Sequence, residues 1–117
     1  MGTPTDPDFR ARLAALNDKF AATVPVTLDK IRSALAECMA GGAQPQPAAL
    51  HQLHELLHGV AGSAGTFGFA TLGTEARRIE QQVRAVLAGH PGWEALPAEI
   101  EKFLGWAARD PKSNTDE

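Results

Sequence analysis

LHELLHGVAGSAGTFGFATLGTEARRIE, residues 53–80, holds the spacing from which the architecture can be read. With Leu50 ahead of it, Leu53, Leu57, Val60, Ala64 and Phe67 recur every three or four positions, which winds them onto one face of a helix. Pro47 is placed to open that helix, because a first-turn proline gives up only an N–H that has no intrahelical partner. The stripe runs on through Gly59, Gly62, Gly65 and Gly68, each costing up to about 1 kcal/mol where it is helix-interior. A bundle has no need of glycines in its most regular helix. His58 lies more than about a quarter-turn from the centre of the stripe, so its imidazole is expected to face water. Gly62 and Gly65, one and two turns further on, leave the surface beside that ring bare. Close helix packing is the other use such glycines can have.

The rest of the chain is helical in period as well. Phe9, Leu13, Leu16 and Phe20 predict an amphipathic helix over about 7–22, and Pro25 is expected to stop it or to open the next. Leu28, Ile31, Leu35 and Cys38 or Met39 make a second stripe that ends at Gly41-Gly42. AQPQP is a short stiff linker to the helix just described, and Leu72, Ala76, Ile79, Val83 and Val86 or Leu87 form the following one, ending at Gly89. Pro97 opens a last segment with Ile100, Phe103, Leu104 and Ala107 on its buried side, flanked by Trp93 and Trp106. Phe67 and Phe69 are expected to close a bundle end, and Cys38 to be buried. One-sided helices joined by short loops must cover each other's stripes. The expected fold is all-α, an antiparallel up-and-down four-helix bundle with an additional terminal helix, spanning 1–117 as a single domain with a flexible polar tail over 110–117.

Composition narrows the function. At 117 residues and 44% hydrophobic content the chain can bury one core, and 11 Lys and Arg against 14 Asp and Glu provide no basic excess for a nucleic-acid backbone. A lone Cys38 forms no internal disulfide, no apolar run is long enough to span a bilayer, and the first residues lack a secretory pattern, so a cytoplasmic monomer with no membrane contact is expected. GxxxxGK[ST] and GxGxxG runs are both absent from the sequence. Any phosphoryl group must come from a partner.

If the helices on either side of residues 64–69 form a hairpin turning near Phe69, Glu80 falls opposite His58 and Arg77 opposite Ala61. A carboxylate at Nδ1 would fix the imidazole tautomer and leave Nε2 outward as a nucleophile, while a cation one turn away would partly neutralise an arriving phosphate. Glu80 as a solvated surface acid is the plainer alternative. Ser63 is expected to bond back to a carbonyl one turn earlier, a structural role.

On these residues the chain resembles the histidine-containing phosphotransfer domain of two-component signalling. His58, Gly62, Ser63, Ala64, Gly65 and Gly68 stand at positions of that family's signature, as do Leu72, Ala76 and Glu80 on the next helix. GTFGF at 65–69 is similar to the phosphotransfer domain of chemotaxis histidine kinases, where a Glu at the place of Glu80 holds the active imidazole. The resemblance implies a carrier that takes a phosphoryl group from a receiver-domain aspartate onto His58 and relays it to another. It implies response-regulator receiver domains as partners, and a hybrid sensor histidine kinase as a further one. No cofactor is expected on this chain, the Mg2+ of the reaction being carried by the receiver. His54, Ala61, Gly62 and Gly65 would form the docking surface and Gly68 a structural position. One position departs from the family: its usual Lys three residues after the His is Ala61 here, so either Arg77 takes over that charge across the hairpin, or the site works without a nearby cation, or the domain only docks.

Two other functions are compatible with the residues. A helical module that docks receivers or kinases without being phosphorylated would also use a bare strip, and the missing Lys keeps that alternative open. His51, His54 and His58, three and four apart, have a spacing that metal ligands can use, but no carboxylate of the same helix completes the set, so no metal site is expected.

Overall fold

The computed structural model describes residues 7–112, and every regular element among them is helical: α1 (Pro7–Ala40), α2 (Pro47–Ser63), α3 (Ala70–Leu87), a 3-10 turn at Trp93–Ala95, and α4 (Leu96–Arg109). α2 and α3 pack along their length as a hairpin, α1 lies against α2 and α4, and α4 closes the fourth side against α3. The expected stripes supply the core. Leu28, Ile31, Leu35 and Cys38 from α1 meet Leu50, Leu53 and Leu57 from α2, Leu72, Ala76, Ile79 and Val83 from α3, and Ile100, Phe103 and Leu104 from α4, all of them buried. Burial, with Glu37 nearby, pushes the Cys38 thiol pKa up.

Three boundaries differ from the sequence expectation. The first two segments are one helix of 34 residues with Pro25 inside it. A proline costs a mid-helix hydrogen bond, but Pro25 is on the exposed side, and the stripe on both sides of it is in helical register, from Phe20 through Val24 to Leu28. The additional terminal helix is therefore present as the leading part of α1. There Phe9, Leu13 and Leu16 are 46%, 41% and 50% exposed, and Val24 is the first buried residue of α1. α2 ends at Ser63 and not at Phe67, because the chain turns through residues 64–68 with Gly68 at φ +88°, a conformation that favours glycine. The amides of Phe67 and Phe69 both donate to the Ala64 carbonyl, at 3.2 and 2.8 Å, which satisfies the helix end. The last segment starts with the 3-10 turn ahead of Pro97.

Phe20 of α1 stacks on Phe67 and leans on Phe69, both with ring centroids 5.2 Å apart, so an aromatic of α1 packs against the two aromatics of the hairpin turn. Of the expected polar tail, residues 110–112 fold back far enough to set Lys112 Nζ 5.0 Å from the centre of the Phe69 ring. Residues 113–117 lie outside the described residues. Among the described residues no helix is long and apolar enough to cross a membrane.

Candidate functional site

The hairpin brings His58 and Glu80 together. At about 100° per residue His58 falls well off the Leu53–Leu57 stripe, and its side chain is 66% exposed. Glu80 sits on the flank of α3 beside Ala76 and Ile79, and its side chain is only 4% exposed. His58 Nδ1 lies 3.6 Å from Glu80 Oε1, which leaves Nε2 as the outward nitrogen. Glu80 is thus no solvated acid but a buried carboxylate aimed at the inner edge of the exposed ring.

The same carboxylate has stronger partners. His54 Nε2 lies 2.7 Å from Oε2, and an Arg84 guanidinium nitrogen stands 3.0 Å from that oxygen. Burial pushes the Glu80 carboxyl pKa up, yet the His54 hydrogen bond, the Arg84 charge and the two rings outweigh it and hold the group below the ordinary carboxylate value. Glu80 is therefore an anion, and an anionic carboxylate only accepts, so the proton of the short bond is on His54 Nε2. The His54 and His58 rings are nearly parallel, 14° apart in plane with centroids at 6.0 Å, and present their edges to one carboxylate.

The glycines divide by use. A Cβ built at Gly59, Gly62 or Gly65 meets nothing within 4 Å, so none of these three is there for packing. Gly73 is the packing glycine: a Cβ there would come within 3.4 Å of both Ala64 Cβ and Gly65 N, where α3 crosses the end of α2. Gly68 serves the turn, as its φ shows. Ser63 is half-buried at the end of α2.

Two expected docking residues are placed differently. His54 is mostly buried, its ring 20% exposed and engaged by Glu80, because it lies roughly 40° nearer the core stripe than His58 on a wheel of about 100° per residue. Ala61 is 8% exposed and offers a docking partner no side chain. Its carbonyl accepts a 3.3 Å bond from Arg77, which brings that guanidinium to the backbone of residue 61 from across the hairpin. The other arginines of α3 are taken up internally: Arg78 pairs with Glu75 and Glu99, and Arg84 with Glu80. His51 is exposed. The parts the sequence expectation omitted are His54 and Arg84 as partners of Glu80; Arg84 was expected, with Arg77 and Arg78, to form a basic flank for phosphate or an acidic receiver surface. Arg84 stands four residues after Glu80 on the same helix, a spacing at which opposite charges meet.

The family model described as Hpt domain matches residues 15–106. No curated protein and no solved structure matches the chain.

Proposed function

This chain belongs to the Hpt domain family, the histidine phosphotransfer domains of two-component signalling, and on that premise we propose that His58 is the residue that carries the phosphoryl group. The observation that carries this assignment is the pairing of a ring exposed on its Nε2 side with a buried carboxylate facing its Nδ1 side, 3.6 Å away. Hpt domains interact with receiver domains and kinases of two-component systems. Here the proposed donor is a receiver-domain aspartyl phosphate, and a second receiver aspartate takes the group on.

The chemistry follows from the ring. His58 Nε2 attacks phosphorus in line, the N–P bond forms as the P–O bond to the aspartate breaks, and the aspartate leaves as a carboxylate. No base is needed, because a neutral imidazole nitrogen already has its lone pair. The ring keeps its Nδ1 proton and becomes cationic, and the Glu80 carboxylate lies on the side where that charge develops. Passing the group on reverses these steps. The Mg2+ that the resemblance implies would be held by the receiver and would supply charge neutralisation at the phosphoryl oxygens there. Gly62 and Gly65 keep the approach open, since nothing lies within 4 Å of where their side chains would be. Arg77, held at the Ala61 carbonyl, supplies part of the charge that the family's Lys would bring.

Incubation with a phosphorylated receiver domain should leave an acid-labile, base-stable phosphate on this protein. His58→Gln should abolish it, because a carboxamide forms no phosphoramidate, whereas His51→Gln and His54→Gln should leave it. Arg77→Ala should weaken transfer by up to several-fold, the effect of one partly exposed ion pair, about 0.2–1 kcal/mol. Ala61→Lys should blunt that defect. Phosphate mapped to His51 or His54, or receiver binding with no transfer, would reject the assignment; the second outcome describes a docking module.

A further inference from the structure

Glu80 is shared unequally. Oε2 takes the 2.7 Å bond from His54 and the 3.0 Å contact from Arg84, while His58 faces Oε1 at 3.6 Å, beyond hydrogen-bonding length. A carboxylate that rotates about its last bond would present either oxygen to either ring. A hydrogen bond and an ion pair on one oxygen oppose that rotation, the first coming from α2 and the second from α3 itself.

We propose that His54 is a positioning residue for His58: by donating from Nε2–H to Glu80 Oε2 it locks the buried carboxylate so that Oε1 is reserved for His58 Nδ1. This rests on the assignment of His58 as the phosphoryl carrier and adds a residue that touches neither the phosphate nor the receiver. The two histidines use different ring nitrogens for a geometric reason. His54, one turn earlier and nearer the core, reaches Glu80 with its distal nitrogen, whereas His58 offers its proximal nitrogen and keeps the distal one for phosphorus. With Oε1 fixed, His58 is held as the Nδ1–H tautomer, the form whose Nε2 lone pair is free to attack. Hydrogen bonds at such sites are often long in the free protein and shorten when charge develops, and the imidazolium formed on phosphorylation is such a charge.

Substitution at His54 separates donor from bulk. His54→Phe fills the same space without an N–H, and its maximal transfer rate should fall by about tenfold, the usual worth of a lost bond to a charged group. The receiver concentration giving half-maximal rate should be unchanged. His54→Gln, which keeps an N–H donor, should retain the rate to within about twofold. Nitrogen-15 NMR of the imidazoles supplies a readout that loss of packing alone would not move: the Nδ1–H share of His58 should drop in His54→Phe and hold in His54→Gln. A folded His54→Phe protein with the wild-type rate and tautomer ratio would overturn the proposal. So would wild-type spectra in which His54 carries its proton on Nδ1 alone, a measurement that decides the matter even if His54→Phe does not fold. If the wild-type protein accepts no phosphoryl group, the carrier assignment fails, while the tautomer measurement still decides whether His54 positions His58.

Discussion

The leading turns of α1 and the length of α2 are built to the same pattern and meet water differently. In α1, Phe9, Leu13 and Leu16 step four and three apart and stand 41–50% exposed; in α2, Leu50, Leu53 and Leu57 step three and four apart and are at most 4% exposed. α2 is flanked by α1 and α3, whereas α1 before Phe20 is almost wholly exposed, and Phe20 itself meets Phe67 and Phe69 at the hairpin turn. Thirteen residues of helix, Pro7–Lys19, reach about 20 Å at 1.5 Å per residue, in keeping with a long axis of 57 Å against 27 and 22 Å across. Periodicity reports that a helix has a face. Whether the face is buried depends on a neighbour elsewhere in the chain.

The contrast can be broken most directly in α2. Leu53→Ala and Leu57→Ala should each cost about 2–5 kcal/mol in denaturant unfolding, because both side chains are fully buried. Losses under about 1 kcal/mol at both positions would show that α2 buries a different face.

Next comes the one buried charge among the described residues. Glu80→Gln should lose about 1.5–3 kcal/mol at neutral pH by weakening its hydrogen bond with His54 and losing its ion pair with Arg84, and should slow transfer without abolishing it. The pH dependence has a definite sign. Because the folded carboxyl lies below its ordinary value of 4.5, its stabilisation is complete above that pH and is lost as pH falls toward the folded pKa. As pH falls below 4.5 the wild-type protein should therefore lose stability that Glu80→Gln does not. Parallel pH–stability curves for the two proteins would count against the folded ion pair.

The solvent side of α2 should respond in the opposite direction. Gly62→Leu, at a position where a Cβ meets nothing, should keep the fold and gain up to about 1 kcal/mol from helix propensity, yet block transfer by filling the strip beside His58. Gly65→Leu should block it as well. Unchanged transfer kinetics in both variants would remove the docking strip from the mechanism. The smallest effect belongs to the α1 overhang: Leu13→Ala and Leu16→Ala should change stability by no more than about 0.5 kcal/mol in the isolated chain.

Much of the bundle was legible because it is a matter of spacing. The stripes of α2, α3 and α4 are buried as their periods require, and the turn near Phe69 set Glu80 and Arg77 across from His58 and Ala61. Pro25 misled because a proline's cost is local and the packing that overrides it is not; Val24, Leu28 and Ile31 bury the same face on through it. The glycines were legible as bare surface at Gly62 and Gly65, but the tight crossing at Gly73 depends on the closeness of two helices, which no single-helix pattern contains. His54 was misplaced for a related reason. A residue at the border of a stripe is assigned to water or to the core by what faces it, and the buried Glu80 drew it inward.

The residues around His58 come from a single stretch of chain. His54, His58, Arg77, Glu80 and Arg84 all belong to α2 and α3, joined by a turn of six residues, 64–69. Closing so short a loop costs little chain entropy, and contacts of low sequence separation are available early in folding. α1 and α4 contribute no side chain to the carboxylate network; they cover the hairpin's apolar side. The order of assembly is then set by topology: the hairpin can bring Glu80 into register with both histidines before either outer helix docks, and the docking that follows raises stability around a geometry already in place.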